Sequence, residues 1–267
     1  MNRALRERRR EIEAARAGTG RAGVDTAVRR EVLASWDRCA GGLPVSLAAA
    51  PLDGNGGGGT MADRWEVSPI RQVAPSFADE LQQVATDGDM VAAVTDDRGR
   101  ILWSGGSNRM ARRAEQVHFT PGGCWDERSA GTNAPALALL TGEPATVFSV
   151  EHWCEAVHDW VCYAAPVRDG SGRTVGVIDL STTWDQAHPL GLATVTAMAR
   201  LVETRLSTVR PTESATALSA PALELRALGH PRVVLDDTPL LLPLRQLEIV
   251  CLLVLRGEAT LDDLHAL

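Results

Sequence analysis

Aromatic residues are scarce in this sequence, at 4% of 267 residues, and cysteines number only five. No apolar run approaches the roughly 18 residues that span a bilayer, and no charged start leads into an apolar core. Neither a membrane span nor a secretory signal is expected. The cysteines, at positions 39, 124, 154, 162 and 251, are odd in number and widely dispersed. That argues against a disulfide framework and fits a reducing cytoplasm. An excess of positive charge is also missing. With a net charge of −7, the chain as a whole is not built to bind nucleic acid, although a small DNA-binding module can ride on an acidic sensor. There is no Walker lysine motif, no catalytic-triad spacing and no closed set of four zinc ligands. No enzyme, cofactor or metal is therefore expected. What is present is an ordinary globular hydrophobic fraction of 45%, enough for one large domain or two modest ones, and aromatics dominated by seven Trp.

The first residues, "NRALRERRREIEAARAG", predict a charged helix with few apolar positions, expected to be solvated, frayed or part of an oligomer contact. "VDTAVRREVLASWDRCAGG" predicts an amphipathic helix with Val28, Val32 and Leu33 on one face and Trp36 close behind, stopped by Gly41 and Gly42. "LAAAPLDGNGGGGTMADR" is expected to be a flexible connector. From Ser68 the pattern becomes that of a compact domain. "SPIRQVAPSFADELQQVATDG" predicts a Ser-capped helix kinked or delayed by Pro75, with Ile70, Val73, Phe77, Leu81 and Val84 as its apolar positions. "DMVAAVTDDRGRILWSG" and "VCYAAPVRDGSGRTVGVIDLST" predict hairpins turning at "DDRG" and "DGSG". Between them lie a short helix, "GTNAPALALLTG", and a strand, "EPATVFSV"; a closing helix, "HPLGLATVTAMARLVETRLSTV", follows. This order gives an α+β domain with an antiparallel sheet and helices packed against it. After a polar linker at 210–221, a new unit begins with two short strand-like runs and an apolar helix from Leu244 to Leu255.

Several of these stretches together carry a family resemblance: "SWDRC" with "GLP", "VAAVTDDRGRILWSGG", "PGGCWDERSAGTNAPALALLTGEPATV", "EHW" and "WVCYAAPVRDGSGRTVGVIDLS". In order and spacing they resemble the GAF sensory domain found in bacterial regulators of the acetoin- and glycerol-catabolism type. Trp153 stands where Phe is usual, and Pro135 where Ile or Val is expected. The resemblance implies a GAF-type antiparallel sheet flanked by helices, with a small effector held between them. The last 45 residues look like the opening of a winged-helix DNA-binding domain. They hold only Arg226, Arg232, Arg245 and Arg256 as cations, and no recognition helix follows. The expected layout is N-terminal helices and a Gly-rich linker at 1–63, the GAF sensor at 64–209, a linker at 210–221 and a partial winged-helix-like unit at 222–267. The expected protein is a cytoplasmic transcriptional regulator that senses a small-molecule effector, and the chain is expected to be a truncated form of it. DNA binding belongs to its full-length parent, a homodimer is allowed, and no membrane partner is implied.

"EHWCEAVHDWVCYAAP" is the chemically densest stretch. On one straight helix Cys154 and Cys162 would stand about 12 Å apart along the axis, too far to share a zinc ion with His158. A metal or haem site, or a Cys154–Cys162 redox pair, requires the helix to end near Asp159 and Cys162 to return on a strand. Both readings stay open, as does, more distantly, a GAF-type methionine sulfoxide reductase. The favoured reading is a pocket wall. His152, Trp153, His158 and Cys162 arrive from one side and meet Trp125 and Asn133 from the other, with Asp179 either a pocket group or a buried structural acid. In "CWDERSAGTN" the amides at a helix start favour an anionic, carboxylate-bearing effector, unless Thr132 and Asn133 are helix caps.

Overall fold

The structure is a computed structural model that describes residues 3–17, 27–53, 60–208, 223–226, 232–235 and 238–240, with Pro243 and Gln246. It divides into two compact units, Met1–Arg210 and Pro211–Leu267.

The first unit is built on a five-stranded antiparallel sheet of β1 (Val91–Thr95), β2 (Ile101–Gly106), β3 (Ala145–Phe148), β4 (Trp160–Arg168) and β5 (Thr174–Thr183), in the order β2-β1-β5-β4-β3. Both predicted hairpins form, and the same device shapes each turn. Asp96 accepts from the amides of Arg98 and Arg100, and Asp169 from those of Ser171 and Arg173. A short acidic side chain bonded to backbone two residues on mimics a turn of backbone, which is why Asp recurs there.

The central strands are buried on both faces. Residues directly opposite share a face, so the register sorts the side chains. Cys162 lies opposite Ser181 and Val147, and Ala164 opposite Asp179, which is itself opposite Ala93. These residues make one face. Tyr163, Leu180 and Ile178 belong to the other.

The second face carries the long closing helix. Helices before the sheet are α1 (Arg3–Arg16), α2 (Arg30–Cys39), α3 (Met61–Glu66), α4 (Pro69–Val73) and α5 (Phe77–Asp87). Those after β2 are α6 (Asn108–Gln116), α7 (Glu127–Ala130), α8 (Ala134–Thr141) and α9 (Leu190–Thr208). At Gly191 of α9 the backbone comes so near the ring of Tyr163 that an added Cβ would sit 2.4 Å from it. Pro75 does break the predicted helix over 68–88: α4 begins on the Ser68 cap with Pro69 in its first turn, and α5 restarts at Phe77.

Three expectations change. Thr60 is not in a connector but opens α3 with a capping box to Asp63, and this helix buries Trp65 against Trp103. The Gly run at 54–59 lies outside the described residues. The charged helix α1 is neither frayed nor merely solvated: Ile12 is fully buried. Every cation in this chain is Arg, and arginines cover aromatic rings with their flat heads. Arg8 stands over Phe148 at 4.6 Å and Arg9 over Trp184 at 4.9 Å. A docked helix can thus read as polar in sequence. Finally, α6 went unpredicted because it buries only Met110 and Ala114, too few to show a period.

In the second unit three strands rather than two form an antiparallel sheet: β6 (Leu223–Arg226), β7 (Arg232–Leu235) and β8 (Thr238–Leu240). The apolar helix expected at Leu244–Leu255 lies outside the described residues. No helix among the described residues is long and apolar enough to cross a membrane.

Candidate functional site

The segment between β3 and β4 is not one helix. It makes two short 3-10 turns, Ser149–Glu151 and Glu155–Val157, and then enters β4 at Trp160. Ser149 has a left-handed backbone (φ 51°) that turns the chain off β3. The loop folds back over the first face of the sheet and brings His152 onto Cys162.

His152 is fully buried. Its Nδ1 lies 2.9 Å from the carbonyl of Ser149 and its Nε2 3.2 Å from the Cys162 thiol. A carbonyl only accepts, so Nδ1 carries the proton and Nε2 accepts from the S–H. Burial, aided by the nearby positive charge of Arg16, pushes the imidazole down to about 3, so it stays neutral. Burial also pushes the Cys162 thiol well up, with the Asp179 carboxyl adding to the shift.

Two residues along β5, Ser181 donates to Asp179 Oδ1 at 2.5 Å. Asp179 is fully buried, and its Oδ2 has no hydrogen-bond partner among the described residues. Desolvation pushes its carboxyl up to about 8, against the opposing pull of the Ser181 hydroxyl. Asp179, Ser181, Cys162 and His152 thus form a row of polar groups, every one neutral at pH 7, across two strands and the loop. The strand positions opposite Asp179 are Ala93 and Ala164.

The other expected residues sort into two further places. Trp125 donates to the His118 carbonyl and packs edge-on against Phe119, which also meets Trp160 at the end of the same sheet face. Beside Trp125, Cys154 and Val157 is a void of about 10 Å³. Asn133 is buried as the cap of α8, accepting from the Ala136 amide and donating to the Gly131 carbonyl. Asp126 caps α7 in the same way. These side chains occupy amides that the sequence reading offered to an anionic effector. Pro135 fits the first turn of α8, where no amide is needed.

Trp153 and His158 face away from the polar row. Trp153 donates to the Leu43 carbonyl, and both residues meet Arg16 of α1. Arg16 lies against the rings of Trp36 and Trp153 and donates to the carbonyls of Val150, His152 and Trp153. His152 therefore touches the polar row through its ring and α1 through its carbonyl. The structure brings together His152, Cys162 and Asp179, and sets Trp153 and His158 on the opposite side of the loop.

For metal and thiol chemistry the geometry is informative. Among the described residues no three His, Cys, Asp or Glu side chains converge as ligands. The Cys154 thiol points to the Ala130 carbonyl at 3.3 Å, and burial pushes it up to about 11. Neither Cys154 nor Cys162 favours the thiolate that redox sensing needs.

Sequence reasoning missed Arg16, Ser181 and Glu151. Glu151 is buried, accepts from the Phe148 amide at 2.7 Å and pairs with Arg29 at 3.0 Å. It also missed the clamp in which Arg38 and Ser35 of α2 bond Glu127. Arg16, Arg29 and Arg38 reach partners far away in sequence, and the short contacts of Ser181 with Asp179 and of Glu151 with Phe148 follow no period, so no local pattern announces these roles.

The chain is 31% identical over 245 residues to an uncharacterised 47.3 kDa protein in the thcA 5′ region of Rhodococcus erythropolis, covering 90% of this chain and 55% of that protein. It is 35% identical over 134 residues to the acetoin dehydrogenase operon transcriptional activator AcoR of Bacillus subtilis, covering 50% of this chain and 22% of AcoR. The chain thus spans about half or less of the length of these relatives. In structure it resembles the DhaR(N) crystal structure from Escherichia coli, solved as a DhaR(N)–DhaL complex (TM-score 0.60, 22% identity, 67% of this chain and 61% of that one). That likeness is one of fold. Residues 61–203 match the family model described as MimR, N-terminal domain, and the chain belongs to that family.

Proposed function

We propose that the first unit is the GAF-type sensor of a transcriptional regulator of a catabolic operon, and that it binds a small effector on the first face of the sheet. The observation that carries this reading is the buried row from Asp179 to His152, which ends in an unpartnered carboxyl oxygen. Buried polar atoms normally find partners, and an orphan beside alanines is a place for a ligand atom. The named relative AcoR supports the regulatory class, and DNA contact is assigned to the whole regulator rather than to these residues. The second unit, with its three-stranded sheet, is proposed as winged-helix-like.

Thermal unfolding with a panel of small metabolites, acetoin among them, tests the proposal. A true effector at a hundred times its Kd stabilises by about 2.7 kcal/mol, a rise in Tm of about 8 °C for a unit of this size. Cys154→Ser should leave that rise intact, because the thiol sits outside the polar row. Loss of the rise in Cys154→Ser, together with its reproduction by oxidant alone, would replace the effector reading with thiol sensing.

A further inference from the structure

We propose that α1 is a latch on the loop between β3 and β4, so that the first sheet face is uncovered only when α1 leaves its dock. The proposal concerns access to that face, whatever binds there, and so stands apart from the sensor reading.

The face is shut. His152, Cys162, Asp179 and Ser181 are each 4% exposed or less, and the void of about 10 Å³ beside Trp125, Cys154 and Val157 holds one water at most. Anything larger reaches these residues only if the loop lifts. Helix α1 holds the loop along its length. Arg8 stands 3.6 Å from Glu151 and Arg9 3.2 Å from Asp159. Arg16 donates to the carbonyls of Val150 at 2.8 Å, of His152, and of Trp153 at 2.6 Å.

Arg16 is the tie. Its partners are three carbonyls, the His158 ring nitrogen at 3.2 Å and the rings of Trp36 and Trp153. The carbonyls of residues 150, 152 and 153 meet on one guanidinium because the 3-10 turn at Ser149–Glu151 bends the chain between them. Arg16 thus reads the path of the backbone, and lifting the loop strips several of its donors at once. The loop's other anchors share these parts. Trp36 of α2 donates to the Glu151 carbonyl and Trp153 to the Leu43 carbonyl, and both indoles flank Arg16.

Helix α1 is also the element built to let go. Of its 14 residues only Ile12 is buried, with Leu5 and Ala15 partly so, and a helix of this length is marginal without packing. An element with few buried apolar contacts opens below the free energy of global unfolding. Coupling between two parts is reciprocal, so loosening α1 loosens the loop by the same factor.

Hydrogen exchange of the 267-residue chain, read by mass spectrometry, tests the latch. In wild type the amides of α1 and of residues 152–158 should lose protection together, at lower urea than those of β5. Ile12→Ala removes the apolar anchor and leaves Arg16 in place. It should speed exchange in the loop by the same factor as in α1, about tenfold or more. Arg16→Ala should do the same, and Arg16→Lys should recover part of the loss, because one ammonium lacks the fork that meets three carbonyls. In both alanine variants iodoacetamide should modify Cys162 about tenfold faster or more, a direct reading of access to the face. If Ile12→Ala does not fold, Ile12→Val carries the same comparison with a smaller factor. Faster exchange in α1 with the loop still protected would overturn the proposal. So would a loop that opens only together with β5, or Cys162 modified at the wild-type rate in both variants.

Discussion

Glu151→Ala should lower the stability of the first unit by about 3 kcal/mol, a fall in Tm of about 10 °C. The carboxylate is 1% exposed and collects the Phe148 amide, Arg29 at 3.0 Å and, more loosely, Arg8 at 3.6 Å. Removing it leaves a buried amide without a partner and two guanidinium groups near a cavity. An unmet buried donor costs about 1–3 kcal/mol, and a buried pair broken from one side costs more. Arg8 and Arg29 are 46% and 36% exposed, so water takes up part of their loss. Glu151→Gln keeps an acceptor for Phe148 and should lose about half as much. Urea unfolding of both variants checks this, and an Ala variant within about 0.5 kcal/mol of wild type would show that the network is ornamental.

Gly131→Ala should be comparably damaging, for a different reason. Gly131 has φ 69° and ψ −158°, a conformation that is essentially restricted to glycine. Any Cβ there would sit 2.5 Å from Cβ of Trp153. Trp153 cannot step aside, because its indole donates to the Leu43 carbonyl and its amide to the Thr132 carbonyl. Strain of about 1–3 kcal/mol and overpacking of similar size add to roughly 3 kcal/mol or more. The shift should also be visible in the near-ultraviolet dichroism of the tryptophans. Since Trp153 follows His152 directly, displacement of the loop would disturb the Cys162 contact as well. A variant with native stability and an unchanged tryptophan spectrum would contradict the packing described.

The elements of the sheet domain were largely legible because each carried a local signal. Short β-prone apolar runs gave the strands, the Asp- and Gly-bearing turns gave the hairpins, and Pro75 gave the break between α4 and α5. Asn133 was assigned to the pocket with capping as the alternative, and it is found as the cap directly before the apolar helix α8. The charged helix α1 was misjudged because its docking uses guanidinium groups on rings, which composition counts as polarity. The helix α3 was hidden by the glycines just before it.

For the candidate site, His152, Cys162 and Asp179 could be named from the sequence, but not their shared face, which depends on the pairing of β4 with β5. Trp153 and His158 are neighbours of His152 in sequence and lie across the loop from it in space. The 3-10 turns, set by the left-handed Ser149, separate them. Partners such as Arg16 and Glu151 come from segments more than a hundred residues apart or from the loop's own backbone, and no periodicity records them.

The most direct test of the central claim is a crystal structure of this chain with its most stabilising compound. The account predicts the ligand between the first sheet face and the folded-back loop, with a polar atom within hydrogen-bonding distance of Asp179 Oδ2. A compound seated instead in the groove of about 370 Å³ lined by Leu5, Arg8, Phe148, Tyr163 and Leu192, with the Asp179 face unchanged, would contradict it.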